Sequence, residues 1–133
     1  MGSVQPSREH LADIAFGWPL LQQVVELGIG SAMVVRERDV IAVEATESTA
    51  MLIERAGSLC RTKGWVLLKT SGPTRDPDPE HSAIDVETVR AMARAGGGCL
   101  ALGAGRVRLD DEARVLEAAA KAKVAVVGVG ENP

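Results

Sequence analysis

The residues with the densest chemistry are Lys69-Thr-Ser-Gly-Pro-Thr-Arg-Asp76-Pro-Asp78-Pro-Glu80-His81. Lys69 heads the run, and three carboxylates alternate with proline before a histidine. Ahead of it lies Trp65-Val-Leu-Leu, a continuous apolar run that reads as a buried strand with both faces covered. Open α/β sheets bind ligands beyond the carboxyl ends of their strands. An acidic loop at such a place suits a divalent cation or a polarised water. The plainer alternative is a solvated connector stiffened by proline.

A second candidate is Val40-Ile-Ala-Val-Glu44-Ala-Thr-Glu47-Ser48-Thr49-Ala50-Met51. Glu44 and Glu47 fall where a strand hands over to a helix. The first helical turn offers free backbone N–H groups that favour an anion. Two carboxylates and two hydroxyls there could hold a metal and a phosphate together. Helix capping is the competing reading, with Ser48 or Thr49 as the cap and Glu47 favoured by the helix dipole. Lone His10 and His81 read as surface polar residues.

The elements around these segments alternate. Residues 7–27 form the first helix, with Ser7 as N-cap and apolar positions at helical spacing. Pro19 is expected to kink it or to split it after Gly17, and Gly28 and Gly30 end it. Residues 31–35 and 40–45 are β-branched-rich runs joined by a short polar connector, hence a hairpin. A helix over 46–62 follows, with Met51, Leu52, Ala56 and Leu59 on one face. After the strand at 65–68 and the acidic loop, Asp85 caps a helix over 86–95. Short strands at 99–102 and 106–109 flank a turn at Gly103-Ala-Gly105. Asp110 or Asp111 caps a last helix to about residue 123, and 124–129 is the final strand. The rhythm predicts a single α/β domain, a mixed sheet of about six short strands covered by about four helices.

Composition narrows the function. The chain has 133 residues, 46% hydrophobic and 25% charged, an ordinary single globular domain. A net charge of −3 and only three aromatics, Phe16, Trp18 and Trp65, argue against a nucleic-acid partner. No apolar run approaches the ~20 residues of a membrane span, and the first residues lack a secretory pattern, so a cytoplasmic location is expected. Cys60 and Cys99 are too few for a disulfide framework or zinc site. The glycine clusters lack the strand–glycine–helix order of a dinucleotide fingerprint. Trp18 and Leu20 beside Pro19 would make an exposed apolar patch and hence a homodimer, unless they pack on the sheet instead.

Five stretches together resemble the C-terminal domain of the bacterial LpxI-type UDP-2,3-diacylglucosamine pyrophosphatases. They are Arg8-Glu-His-Leu-Ala-Asp-Ile14, Leu27-Gly-Ile-Gly30, Ala42-Val-Glu-Ala-Thr-Glu-Ser-Thr-Ala-Met51, Val66-Leu-Leu-Lys-Thr70 and Ala93-Arg-Ala-Gly96. Each motif is soft alone; their order and spacing make the likeness specific, and it spans nearly the whole chain.

The resemblance implies magnesium-dependent hydrolysis of a nucleotide-sugar lipid pyrophosphate to UMP and an acylated sugar 1-phosphate, in lipid A biosynthesis. It implies catalytic roles for Glu80 and Asp76, substrate binding by Lys69, Thr49 and Ser48, and metal binding by Glu47, Glu44 and Glu80. Peripheral contact with the inner membrane follows from a lipid substrate. The family's N-terminal domain has no counterpart in this sequence. Ala50 and Ser48 stand where the family's E-G-T-D pattern has Asp and Gly, and Asp78 stands where D-x-R-x-D has Arg. Those departures leave a second expectation, a non-catalytic relative that binds a nucleotide, a lipid or a partner protein.

Overall fold

The computed structural model describes residues 2–71 and 83–130. Among the described residues four helices and seven strands follow in the order α1 (Arg8–Glu26), β1 (Ala32–Arg36), β2 (Asp39–Val43), α2 (Thr49–Leu59), β3 (Trp65–Lys69), β4 (Ala83–Ile84), α3 (Val86–Ala95), β5 (Gly97–Gly103), β6 (Arg108–Leu109), α4 (Glu112–Ala122) and β7 (Ala125–Val129). The main sheet has five strands in the order β2-β1-β3-β5-β7, and β4 and β6 make a separate two-stranded ribbon. β1 runs antiparallel to β2 and to β3, while β3, β5 and β7 are parallel. The expected single α/β domain with a mixed sheet is the observed architecture.

The pleat explains the layers. Alternate residues of β1, β3 and β5, including Val34, Trp65, Leu67, Leu100 and Leu102, pack against Leu52 and Ile53 of α2, Val89 and Met92 of α3, and Val115 and Ala119 of α4. The other set, Met33, Val35, Val66, Leu68, Cys99 and Ala101, packs against Ile14, Trp18 and Leu21 of α1. Every residue of β3 is buried, as its continuous apolar run predicts. Cys99 packs as a small hydrophobe, and burial pushes its thiol up to about 12.

Several local expectations are corrected. α1 continues through Pro19 as one helix, neither split nor ended at Gly17. Pro19 and Ala15 both lie on its exposed side, where water can take the carbonyl that proline leaves unpaired. Gly17 serves packing instead: a Cβ there would lie 2.9 Å from Val35 Cγ2, so its absence lets the helix approach the sheet. Trp18 is buried at 2% exposure, so it packs on the sheet and forms no apolar patch with Leu20.

α1 ends in a left-handed glycine motif. Ile29 N–H donates to Val24 O and Gly28 N–H to Val25 O, with Gly28 at φ 74°. α2 is shorter than expected, and it buries Leu52, Ile53 and Ala56 while Met51 and Leu59 are exposed. β5 starts at Gly97, with only Gly96 left as the helix cap. β6 is two residues long and pairs with β4, a strand that its own brevity hides in the sequence. Asp85 caps α3 as expected, its carboxylate accepting from Thr88 N–H at 2.9 Å. Asp111 precedes α4 without capping it: its φ is 59° and its side chain accepts no cap hydrogen bond.

Candidate functional site

Three strand ends meet at one edge of the sheet. Lys69 closes β3, Ser31 precedes β1, and Glu44 follows β2. Glu44 N–H donates to Ala32 O at 2.9 Å, and Thr70 N–H donates to Ser31 O at 3.0 Å. The pairing therefore carries on past the strands, and it sets Glu44, Ser31 and Lys69 side by side. Gly30 is required for this approach, because a Cβ there would fall 1.8 Å from Glu44 O. α2 begins at the same edge, with Thr49 its first residue. Ser48 caps it through its hydroxyl, which accepts from Met51 N–H at 3.2 Å.

The pleat that sends Trp65 and Leu67 toward α2 sends Lys69 the same way. Its side chain is 1% exposed and ends among oxygens. Nζ donates to Thr49 Oγ1 at 3.1 Å and to Ser31 Oγ at 3.5 Å, and lies 3.9 Å from Glu44 Oε2. Thr49 Oγ1 in turn donates to Glu44 Oε2 at 3.2 Å. The directions agree: ammonium to hydroxyl, hydroxyl to carboxylate. Glu44 is itself 3% exposed. Burial holds Lys69 below the usual lysine range, and the neighbouring Glu44 charge opposes that shift.

Glu47 takes a different course. Its carboxylate is hydrogen-bonded and ion-paired to Arg55, whose guanidinium also donates to Val43 O at 2.9 Å. So the two acids of the strand–helix junction split: Glu44 joins Lys69 and Thr49, and Glu47 ties α2 to the end of β2. Ala50 lines a hollow of about 580 Å³ between α2 and α3, together with Ile53, Gly57 and Ala95.

The neighbouring strand end is also pinned. Ser71 Oγ donates to Arg106 O at 2.8 Å, and Thr70 is 8% exposed against Gly103. Asp76, Asp78, Glu80 and His81 lie outside the described residues. Among the described residues no group of three or more His, Cys, Asp or Glu is placed to hold a metal ion. One carboxylate already facing an ammonium does not fit a divalent cation, so the described part of this edge suits an anion better. The Lys69 ammonium and the Glu44 carboxylate largely cancel, so what faces an anion is the Thr49 hydroxyl and the backbone N–H groups of the α2 N-terminus.

Sequence reasoning missed Ser31, which carried no motif, and Asp13. The signal for Asp13 was there: one carboxylate inside Leu11-Ala-Asp13-Ile-Ala-Phe16, on a helix face otherwise apolar. It is 1% exposed and accepts from Glu37 N–H at 3.1 Å and Arg38 N–H at 2.7 Å.

Comparison with known proteins bears on the whole arrangement. A family model of the LpxI C-terminal domain matches residues 1–127. The chain is 32% identical over 136 residues to the UDP-2,3-diacylglucosamine pyrophosphatase LpxI of Caulobacter vibrioides, a match that takes in 97% of this chain and 49% of the relative. The chain thus spans about half the length of that curated relative.

Proposed function

From the premise that this chain belongs to the LpxI C-terminal domain family, we propose that it supplies the hydrolytic half-site of a UDP-2,3-diacylglucosamine pyrophosphatase. The observation that carries this reading is the buried Lys69–Thr49–Glu44 chain at the carboxyl edge of the sheet, beside the N-terminus of α2. Isolated charges are not left in a protein interior without cost. A lysine and a glutamate placed there, at the edge where such sheets bind ligands, are arranged for chemistry more than for stability.

In this reading a pyrophosphate lies over Thr49 and the first amides of α2. The positive end of the α2 dipole offsets the phosphate charge. Water attacks one phosphorus, and its bond to the bridging oxygen breaks. The products are UMP and the acylated sugar 1-phosphate. Glu80 and Asp76 are proposed to direct the water. A magnesium ion belongs to the same proposal; the described residues do not make its site, so its carboxylates would come largely from Asp76 and Glu80. The lipid substrate makes peripheral contact with a membrane part of the proposal too. No helix among the described residues is long and apolar enough to cross one.

One observation favours a second reading, binding without turnover. Ala50 stands where the resembled pattern has an acid, and it lines the α2–α3 hollow and carries no carboxylate. Release of UMP from UDP-2,3-diacylglucosamine, with and without Mg²⁺ and beside Glu80→Ala, separates the two. Cation-dependent turnover lost in the variant is the expected result. Binding of UMP without any turnover, in a folded protein, would leave the second reading.

A further inference from the structure

We infer that Lys69 is a positioning residue: its ammonium fixes the Thr49 hydroxyl, and through it the Glu44 carboxylate, without itself meeting substrate. The purpose assigned to that positioning rests on the hydrolysis proposed above; the positioning itself rests on geometry.

At 1% exposure the Lys69 ammonium is turned toward Thr49, Ser31 and Glu44, whereas Thr49 itself is only partly buried. An ammonium donates three hydrogens and accepts none. Its hydrogen to Thr49 Oγ1 occupies a lone pair of that oxygen, at 3.1 Å, and so obliges the hydroxyl proton to point elsewhere. The direction left is Glu44 Oε2, 3.2 Å away. Lys69 thus sets the sense of the whole chain. Without it the Thr49 hydroxyl is free to turn, and Glu44 is left buried with its counter-charge gone. Glu44 and Thr49 come from two different elements, the end of β2 and the start of α2. Holding both therefore also fixes how the α2 N-terminus sits on the sheet edge.

Contact and positioning make different kinetic predictions. A lysine that touched the phosphate would raise KM on removal, and its loss would add to that of Thr49. A lysine acting through Thr49 lowers kcat with KM little changed, and the two losses overlap. The experiment is a double-mutant cycle of Lys69→Met and Thr49→Val on UMP release, with Thr49→Ser as the conservative control. The expected result is a fall in kcat of about 10- to 100-fold in each single variant. KM should stay within about threefold, the double variant should be no worse than either single by more than about threefold, and Thr49→Ser should sit near wild type. Additive losses, or a rise in KM confined to Lys69→Met, would overturn the inference.

A second readout needs no turnover. The rotamer of the Thr49 Cβ–Oγ1 bond, from the three-bond coupling between Hβ and the slowly exchanging hydroxyl proton, should go from one state in the wild type to a mixture in Lys69→Met. An unchanged rotamer overturns the inference. A changed rotamer in a protein that never releases UMP upholds it while the hydrolysis reading falls. Should Lys69→Met fail to fold, Thr49→Val against Thr49→Ser carries the test. Loss of the slowly exchanging Lys69 ammonium signal in Thr49→Val alone is then expected, and its persistence in both is the overturning result.

Discussion

Among the described residues two carboxylates are buried, and they serve opposite ends. Asp13 and Glu44 are almost equally buried, at 1% and 3% exposure. They sit at opposite ends of β1: the hairpin turn that Asp13 holds follows Arg36, and Glu44 faces Ala32. Asp13 takes two backbone amides from Glu37 and Arg38, both in the left-handed region at φ 55° and 58°. Neither residue is glycine or asparagine, which such a turn prefers, so the carboxylate supplies what the turn residues do not. Glu44 instead takes a hydroxyl and faces an ammonium. Fixed neutral amides make a good stability device, because they need no second buried charge. A buried ion pair is a poor one, since desolvation offsets most of its attraction. The first region keeps the fold, and the second spends stability on arrangement.

The sharpest test of that contrast is to break the pair at Glu44. Glu44→Gln strands the Lys69 ammonium and should cost about 3–5 kcal/mol in urea unfolding. Glu44→Gln combined with Lys69→Met should return to within about 1 kcal/mol of wild type, because both charges are gone. If the combined variant stays as unstable as the single one, the pair is a structural anchor and the contrast fails.

Asp13→Ala should cost less, roughly 2–4 kcal/mol for two charge-assisted hydrogen bonds to an exposed turn. Here no partner substitution rescues by neutralising a charge, since the partners are amides. Arg38→Gly is smaller again and of opposite sign: it should stabilise by up to about 1 kcal/mol by relieving the positive-φ side chain. It should also blunt the effect of Asp13→Ala, as read from the urea midpoints of the four combinations.

The smallest effect is a pH dependence at the Asp13 end. His10 Nδ1 accepts from Ser7 N–H at 3.1 Å, so the cap of α1 uses the unprotonated nitrogen. Burial foremost, and the Arg36 charge, hold His10 below its ordinary value of 6.5, while the Gly64 backbone, Asp13 and Glu9 oppose the shift. The folded state therefore binds fewer protons than the unfolded one just below 6.5. Stability is full above that pH and falls as pH drops through it, levelling off below the lowered native value. His10→Asn should flatten the midpoint difference between neutral and mildly acid pH. An unchanged slope would remove His10 from the account.

The alternation of elements was legible because each carries a local signature. β3 announced itself by Trp65-Val-Leu-Leu, α3 by Asp85 ahead of an amphipathic run, and the hairpin by two β-branched runs. The failures were also local. Pro19 read as a kink or a split, and the split failed because propensity knows nothing of a sheet that holds Trp18 and Leu21 on either side of it. Asp111 read as a cap because composition does not show a positive φ. At the site, Glu44 and Thr49 were picked out together in one segment and Lys69 in another, but nothing in the sequence joined the two segments or separated Glu44 from Glu47.

The sequence by itself determined the α/β class, the family to which the chain belongs and the residue types gathered at the strand ends. Those follow from periodicity, capping and motif order, which act over a few residues. Only the tertiary structure decided that Glu44 turns inward to Lys69 while Glu47 turns to Arg55, and that Ser31 joins the former. That choice rests on β1–β3 pairing between Ala32 and Lys69, 37 positions apart by number (69 − 32), and on a glycine at position 30 that lets the chain close over Glu44. Contacts between residues so distant in the chain leave no periodic trace, so strand pairing alone could bring them together.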